Sequence, residues 1–234
     1  MRKMAAIFVA MVALAVLAGS AMAAGQALRV SQVYGGGGNS GAQYNQDFIE
    51  IFNAGSLPAD ISGWAVEYAS ASGSWGTTFT VGGSTFGNYV VFPPGTTIQP
   101  CGYILIGGAT GASGGPPLPT PDFAIPTNLS ATNGNVGIFS QLNPATACGS
   151  ETGLVDKVAY GTGICKEGAS AAAALSNTTA AIRKNCGLQD TDNNGADFDA
   201  LPPSPHNAAS GQATCCGPTP TSGRTWGRLK TLYR

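Results

Sequence analysis

Apolar residues in this chain come in short runs of strand length, separated by segments rich in glycine, proline, asparagine and serine. The run 47–52 ends at the turn signal Asn53-Ala54-Gly55, and the run 89–92 ends at Pro93-Pro94-Gly95. Short runs bounded by turn residues are typical of strands, whereas helices need longer periodic segments. The 34 glycines and 15 prolines, with only 10% charged residues, fit a turn-rich chain. We therefore predict an all-β fold, a sandwich or a barrel. The predicted strands are 28–33, 47–52, 61–68, 89–92, 102–106, 135–140, 154–160 and 179–183.

The N-terminus has the pattern of a secretory signal peptide. Arg2 and Lys3 precede an apolar run over 4–18, and Ala21-Met22-Ala23 provides an A-x-A cleavage site. We therefore predict a signal peptide over 1–23 and a secreted, extracellular or periplasmic bacterial protein, the alternative being an N-terminal membrane anchor. No later segment is long and apolar enough to cross a bilayer, so no transmembrane segment is expected in the mature chain.

Six cysteines follow the predicted signal peptide, and all six are disulfide candidates. An even number in an exported chain indicates disulfides, because the exterior and the periplasm are oxidising. Six cysteines allow 15 pairings, among which the sequence alone does not choose. We expect at least one bond between two of Cys148, Cys165 and Cys186, and no bond between adjacent residues, whose ring would be strained. Without a C-x-x-C spacing, and with one histidine, a zinc site is disfavoured. The candidates are Cys101, Cys148, Cys165, Cys186, Cys215 and Cys216.

Charge divides the mature chain into an acidic body and a basic end. Between Arg29 and Ser210 there are five basic and twelve acidic residues, a net charge of −7, whereas the last eleven residues carry +4. Affinity for nucleic acid depends mostly on neutralising phosphates, so the body is a poor nucleic-acid binder. We predict a domain over 28–210, a Gly/Pro-containing linker over 211–223, and a flexible basic amphipathic tail over 224–234.

The tail places Trp226, Leu229 and Tyr233 on one face of a helix, with basic residues around it. Such an end is typical of a sorting signal or of a segment that docks to a partner or an anionic surface. The alternative is a terminus that packs loosely on the body.

Four consecutive glycines, Gly35 to Gly38, raise the question of a phosphate-binding loop. A P-loop needs G-K-[ST] opening a helix, and a dinucleotide fingerprint needs a helix after the glycines. Here no lysine is near and another strand follows. We therefore predict a strand-to-strand loop that uses glycine for backbone conformations with positive φ.

Several separated motifs resemble the bacterial branch of the lamin-tail domain family. They include the segment 31–41, Asp47-Phe48-Ile49-Glu50-Ile51-Phe52-Asn53, Asp60-Ile61-Ser62-Gly63-Trp64, Ile182-Arg183-Lys184 and the segment 190–198. The resemblance covers about residues 28–210 and implies an immunoglobulin-like β-sandwich. It also implies an accessory role, since such domains occur in exported bacterial proteins, often beside nuclease or other hydrolase domains.

The segment 190–195 matches the first half of a calcium loop. Asp190, Asp192 and Asn194 supply oxygens at positions 1, 3 and 5, and glycine follows at position 6. Position 12 is Leu201 where a bidentate glutamate is expected. We therefore state a calcium site as one hypothesis, and a polar turn closed by its own side chains as the other. No other cofactor is expected.

Five further residues are candidates for a functional or a structural role. Asp47 and Glu50 are three apart in one strand and so point to opposite faces, which predicts satisfied carboxylates and not an acid–base pair. His206 lies in a proline-rich segment without a G-x-S-x-G motif, which predicts an exposed loop and argues against catalysis. Trp64 is expected in the core. Trp75, in a glycine-rich loop, is a candidate exposed ring that could stack on a sugar or base.

These observations predict an exported, non-enzymatic, disulfide-bonded domain that acts as a binding or surface-interaction module, with an unknown protein or carbohydrate at a cell surface as its partner. The alternative is an accessory module for extracellular nucleic acid or a nuclease, which the acidic body disfavours. A hydrolase with its site around 190–199 is a third alternative, disfavoured by the missing nucleophile–base pair.

Overall fold

The computed structural model describes residues 28–216, so the predicted signal peptide and basic tail lie outside the described residues. Within that range, strands and loops make up almost the whole structure. A single-turn helix, α1, spans Asn194–Asp197, and 3₁₀ turns cover Asn185–Gly187 and Ala208–Ser210. The strands are β1 Leu28–Tyr34, β2 Gln46–Asn53, β3 Ala59–Asp60, β4 Ala65–Ala69, β5 Thr78–Val81, β6 Ser84–Gly87, β7 Tyr89–Val91, β8 Thr97–Ile98, β9 Tyr103–Thr110, β10 Phe123–Ala124, β11 Gly134–Phe139, β12 Leu154–Tyr160, β13 Ala180–Arg183 and β14 Phe198–Leu201.

Two sheets pack face to face as an immunoglobulin-like β-sandwich, which confirms the predicted fold class. The larger has six strands in the order β10-β9-β2-β1-β13-β14, and the smaller has four in the order β12-β11-β4-β7. Two short pairs, β3-β8 and β5-β6, lie outside these sheets. Within the described part of the chain, no helix has the length and apolar character needed to cross a membrane.

The main core lies between the two sheets. Val33 and Ile49 of the larger sheet and Val66 and Ile138 of the smaller belong to one buried cluster. Trp64, expected in the core, is only partly buried and packs against this cluster. The other face of the larger sheet is covered too, by smaller clusters around Tyr34, Phe48 and Leu105 and around Phe52 and Tyr103. This explains why the run 47–52 is apolar on both faces.

The glycine run is a tightly packed loop between β1 and β2. The backbone N–H of Gly37 donates to the Asp47 carboxylate at 2.8 Å, and Gly38 has φ +70°. A side chain at Gly37 would collide with the backbone of Gln46 and Asp47. Positive φ requires glycine at position 38, as predicted, and close backbone approach, which was not predicted, requires it at position 37.

Three disulfides tie the loops and the C-terminal segment to the sandwich. Cys101 bonds Cys216, Cys148 bonds Cys165, and Cys186 bonds Cys215. The second bond confirms the expected pairing among residues 148, 165 and 186, and the adjacent pair 215–216 is not bonded to itself. Because two bonds reach 215 and 216, the first residues of the predicted linker are anchored to the body.

An ion pair connects the two sheets inside the sandwich. The Arg183 guanidinium on β13 donates to both carboxylate oxygens of Asp156 on β12, at 2.8 and 2.7 Å, and both side chains are almost fully buried. The pair also bonds both backbone groups of Val30, where the pairing of β1 with β2 is irregular. Arg183 Nε donates to the Val30 carbonyl, and the Val30 N–H donates to the Asp156 carboxylate. Buried charges require such partners, so this pair fixes how the sheets meet.

Candidate functional site

Two of the three predicted calcium ligands, Asp190 and Asn194, have protein partners in the structure. Asp190 pairs with Arg29 at 3.0 Å and with Arg183 at 3.4 Å. Asn194 is fully buried, and its carbonyl oxygen accepts the backbone N–H groups of Ala159 and Glu167 at 2.9 and 3.0 Å. Asp192 is exposed. Asp190 and Asn194 therefore already serve as partners of other groups of the fold.

A fourth acidic residue closes the same segment as a turn. The Asp197 carboxylate accepts the backbone N–H and the hydroxyl of Thr191, both at 2.8 Å, and the backbone N–H of Asn193 at 3.3 Å. These bonds lower the pKa of Asp197, since they favour its charged form. They match the alternative hypothesis of a polar turn held by its own side chains.

We expect calcium to leave the melting temperature of the protein unchanged. Ligands that bind only the folded state raise stability by mass action, but the Asn194 carbonyl and the Asp190 carboxylate are already engaged. Thermal melting with millimolar calcium and with chelator tests this, with magnesium as a control for ionic strength. A rise with calcium that Asp192→Asn abolishes would contradict the expectation and establish the predicted site.

A second group of carboxylates surrounds Arg183. Ligand atoms of Asp156, Glu167 and Asp190 lie within 4.8 Å of one another. The Arg183 guanidinium contacts two of the three, at 2.7 Å for Asp156 and 3.4 Å for Asp190. The Arg183 guanidinium therefore already occupies the place of a cation among these carboxylates. The carboxylates and Arg183 form a structural network.

This network makes stability depend on pH. Burial, together with the nearby charge of Asp156, raises the pKa of Glu167 to about 8. A carboxyl group with a raised pKa in the folded state stabilises the fold below its unfolded pKa, and this stabilisation is lost as pH rises toward the folded value. We expect the free energy of unfolding to fall by about 2 kcal/mol between pH 5 and pH 8, at about 1.4 kcal/mol per pKa unit after allowance for partial exposure.

Urea denaturation of the wild type and of Glu167→Gln at pH 5 and pH 8 measures this change. Glu167→Gln should lose the part of the fall that belongs to Glu167, and Asp199→Asn, at an exposed carboxylate, should retain the whole fall. A wild type that is more stable at pH 8 than at pH 5 would contradict the expected sign. Asp47, whose pKa burial raises to about 7, contributes in the same direction.

The only histidine of the chain is held by a buried glutamate. Glu50 is 1% exposed, and it accepts the Ser31 hydroxyl at 2.6 Å and the His206 backbone N–H at 2.6 Å. His206 Nδ1 lies 3.1 Å from the same carboxylate, which raises the pKa of the imidazole. The ring also stacks on Tyr103, with centroids 4.6 Å apart. His206 therefore lies in a loop, as predicted, but its ring is held there by Glu50 and Tyr103.

The cavity beside this pair, about 320 Å³ in volume, lacks the relay that hydrolysis needs. The Ser31 hydroxyl donates to Glu50 and not to the imidazole, so His206 does not activate it. The carboxylate oxygens of Glu50 also accept the Gln32 amide, at 3.1 Å each, which leaves them saturated. The pair works as an anchor for the segment after Pro205, and Glu50 is a satisfied buried carboxylate, as predicted.

Trp75 is buried and does not present a stacking surface, which corrects the prediction made for it. Its side chain is 0% exposed, packs edge-on against Phe139 at 5.3 Å between ring centroids, and donates from Nε1 to Glu151 at 3.0 Å. A glycine-rich neighbourhood predicts a loop correctly, but whether a ring in that loop is exposed depends on what packs over it.

A second concave surface is the best candidate for ligand binding, and we call it the neutral groove. It has a volume of about 400 Å³, within the range of small-molecule sites. Three separate segments form it: the end of β4 with the loop into β5, the residue before β7, and the loop after β10. Its lining residues are Tyr68, Ser70, Gly73, Ser74, Thr77, Phe79, Asn88, Pro126, Thr127 and Asn128.

The groove has a rigid polar wall. The Asn88 amide donates to the Thr77 hydroxyl at 2.8 Å and accepts the Thr127 hydroxyl at 2.9 Å. The hydroxyl of Tyr68, another lining residue, accepts the backbone N–H of Ser130 at 2.9 Å. None of the lining residues carries a formal charge, so the groove attracts neither anions nor cations.

The groove was not predicted, because no local sequence motif indicates it. Its residues are spread over sixty positions, and the β5-β6 hairpin beside it was not predicted. The only signals were the hydroxyl and amide residues that cluster near Ser70 and Asn128, which also suit ordinary turns.

Fold and site together define a disulfide-stabilised, immunoglobulin-like sandwich domain with concave surfaces beside Glu50 and beside Asn88. Residues 21–182, more than half of the chain, match the family model of the Lamin Tail Domain. The chain therefore belongs to the lamin tail domain family, as the resemblance in its motifs predicted. Lamin tail domains are a non-catalytic domain type.

One solved structure supports the fold independently. A crystal structure of a DUF4876 family protein from Bacteroides thetaiotaomicron superposes with a TM-score of 0.51 at 13% sequence identity, over 81% of this chain and 75% of that chain. At this identity the likeness shows a shared fold only. A comparison with curated proteins found no match to this chain.

Proposed function

We propose that the protein is an exported, non-enzymatic binding module that contacts its partner through the neutral groove. The observation that carries this proposal is the groove itself: a concave surface of about 400 Å³ with a rigid polar wall and no charged lining residue. Pre-formed concave sites with a few fixed polar groups are the usual form of ligand sites.

Export is supported by the three disulfides together with the predicted signal peptide. Disulfides persist in oxidising compartments and are rare in the cytosol. All six cysteines are paired in the structure. A domain that depends on these bonds would be suited to the cell surface, the periplasm or the medium.

The nucleic-acid alternative finds little support in the described part of the chain. Four of the five basic residues in the body pair with carboxylates: Arg29 with Asp190, Lys157 with Glu151, Arg183 with Asp156 and Lys184 with Asp199. The fifth, Lys166, donates to the carbonyl of Ala169. Neutralised cations add little affinity for phosphates.

Binding of the fluorescently labelled mature protein to intact cells of the producing bacterium tests the proposal. We expect saturable binding that Ser70→Trp, which fills the groove, reduces at least tenfold. Ser56→Trp, the same change at an exposed position away from the groove, should bind like the wild type. Circular dichroism and thiol counting establish that both variants are folded and oxidised.

Two outcomes would contradict the proposal. Equal binding by Ser70→Trp and Ser56→Trp would place the contact elsewhere on the molecule. Recovery of the native protein only from the cytosol, with free thiols, would exclude export. Retention on DNA that falls with added salt would instead favour the nucleic-acid alternative.

A further inference from the structure

From the chemistry of the neutral groove, we infer that its ligand is an uncharged saccharide. This inference rests on the proposed function, because it names the ligand class of the same site. It draws on three features of the groove: polar groups without partners, an aromatic side and the absence of charge.

Three polar side chains in the groove are free to bind a ligand. The hydroxyls of Ser70 and Ser74 and the amide of Asn128 have no hydrogen-bond partner among the described residues, and all three line the groove. Hydroxyls and amides both donate and accept hydrogen bonds. A sugar hydroxyl does the same, so these groups match a polyhydroxylated ligand without a change of protonation on either side.

Fixed groups beside them extend the polar surface. Asn88 is oriented by Thr77 and Thr127, at 2.8 and 2.9 Å, yet its amide retains a second N–H and a second lone pair. A side chain that is already immobilised loses little conformational entropy when a ligand binds. The Asn88 side chain is therefore held in place before a ligand binds. This favours a neutral ligand, whose binding includes no charge attraction to offset a loss of side-chain entropy.

Two aromatic residues line the groove together with these polar groups, Phe79 and Tyr68. Phe79 belongs to the β5-β6 hairpin, where it is paired with Phe86 across the two strands, with ring centroids 5.7 Å apart. Sugar rings have C–H faces that are apolar beside hydroxyl edges that are polar. An aromatic face provides apolar contact area for the C–H face of a sugar. The serine and asparagine side chains can form hydrogen bonds with its hydroxyl groups.

Other ligand classes fit this lining poorly. Nucleic acids and acidic sugars need cationic partners, and amines need carboxylates, but the lining residues include neither. A wholly apolar ligand would remove Ser70, Ser74 and Asn128 from water without providing hydrogen bonds, which is unfavourable. A neutral ligand with many hydroxyls has groups that can bond Ser70, Ser74 and Asn128.

Cell binding after chemical treatment of the cells tests the inference. Periodate cleaves the vicinal diols of sugars, and protease removes protein receptors. We expect periodate to abolish the part of wild-type binding that is sensitive to Ser70→Trp, and protease to leave it intact. If protease removes that binding and periodate does not, the saccharide is excluded, although the groove remains the contact site and the proposed function stands.

Amide NMR with defined sugars gives a readout that is independent of cells. The mature protein is titrated with neutral hexasaccharides of glucose, xylose and N-acetylglucosamine, and with an acidic galacturonate hexasaccharide. We expect saturable shifts at Ser70, Thr77, Asn88 and Asn128 with at least one neutral sugar, at a Kd of about 0.1–1 mM, typical of weak binding near −5 kcal/mol. Equal shifts with the acidic sugar would overturn the inference, as would the absence of shifts with every sugar when cell binding also withstands periodate.

A matched pair of variants separates the ligand contact from hairpin stability. Phe79→Ala and Phe86→Ala each remove one ring of the same cross-strand pair, but only Phe79 lines the groove. We expect Phe79→Ala to weaken sugar binding at least tenfold and Phe86→Ala to weaken it less than threefold. Equal losses in the two variants would assign the effect to the hairpin and contradict a contact with Phe79.

Discussion

Replacement of Arg183 by methionine is expected to lower the free energy of unfolding by about 3–5 kcal/mol, the usual cost of removing one partner from a buried ion pair. The variant leaves Asp156 buried opposite an apolar side chain and leaves the Val30 carbonyl without its donor. It also removes the contact of the guanidinium with the Phe198 ring, 4.5 Å from its centroid. Urea denaturation at pH 7 measures the change.

Two further variants show whether the loss belongs to the buried pair. The double variant Arg183→Met/Asp156→Leu should recover part of the stability, because replacing a whole buried pair by apolar residues is often close to neutral. Lys184→Met removes the partly exposed pair with Asp199 and should cost about 1 kcal/mol or less. If Arg183→Met and Lys184→Met were equally stable, the Arg183–Asp156 pair would not be what holds the two sheets together.

Removal of the Cys101–Cys216 disulfide should have the second large effect. The bond joins residues 115 apart, and closing a loop of about 100 residues is worth about 4.7 kcal/mol in the chain-entropy account. We expect the double variant Cys101→Ser/Cys216→Ser to lose about 3–5 kcal/mol. For a protein of this size, that corresponds to a fall in Tm of roughly 10 °C.

The Cys148–Cys165 disulfide provides the matched comparison. It closes a separation of only 17 residues, so Cys148→Ser/Cys165→Ser should cost less, about 3 kcal/mol. A larger loss from the shorter loop would contradict the entropic explanation.

Much of the fold could be predicted from local patterns. Strand-length apolar runs predicted all-β structure, and the runs at 47–52 and 154–160 correspond closely to β2 and β12. The hairpin over 78–87 was missed because its threonines, serines and glycines resemble a loop. Its pairing depends on a partner strand next to it, which composition does not reveal.

The surroundings of the candidate site residues could not be predicted from the neighbouring sequence. Asp190, Asp192 and Asn194 have the spacing of calcium ligands, but Asn194 is drawn into the core by backbone groups of 159 and 167. Trp75, predicted to be exposed, is covered by Phe139 and Glu151. In both cases the deciding partner lies far away in the chain, so no window of sequence around the residue contains it.

The amino-acid sequence alone determined the class of fold, the family, the packed glycine loop and the presence of disulfides, because each depends on local spacing, turn chemistry or residue type. Only the tertiary structure decided the disulfide pairing, the anchoring of His206 by Glu50 and the assembly of the neutral groove. These depend on side chains separated by up to 156 positions, and such pairs meet only after the two sheets have packed together.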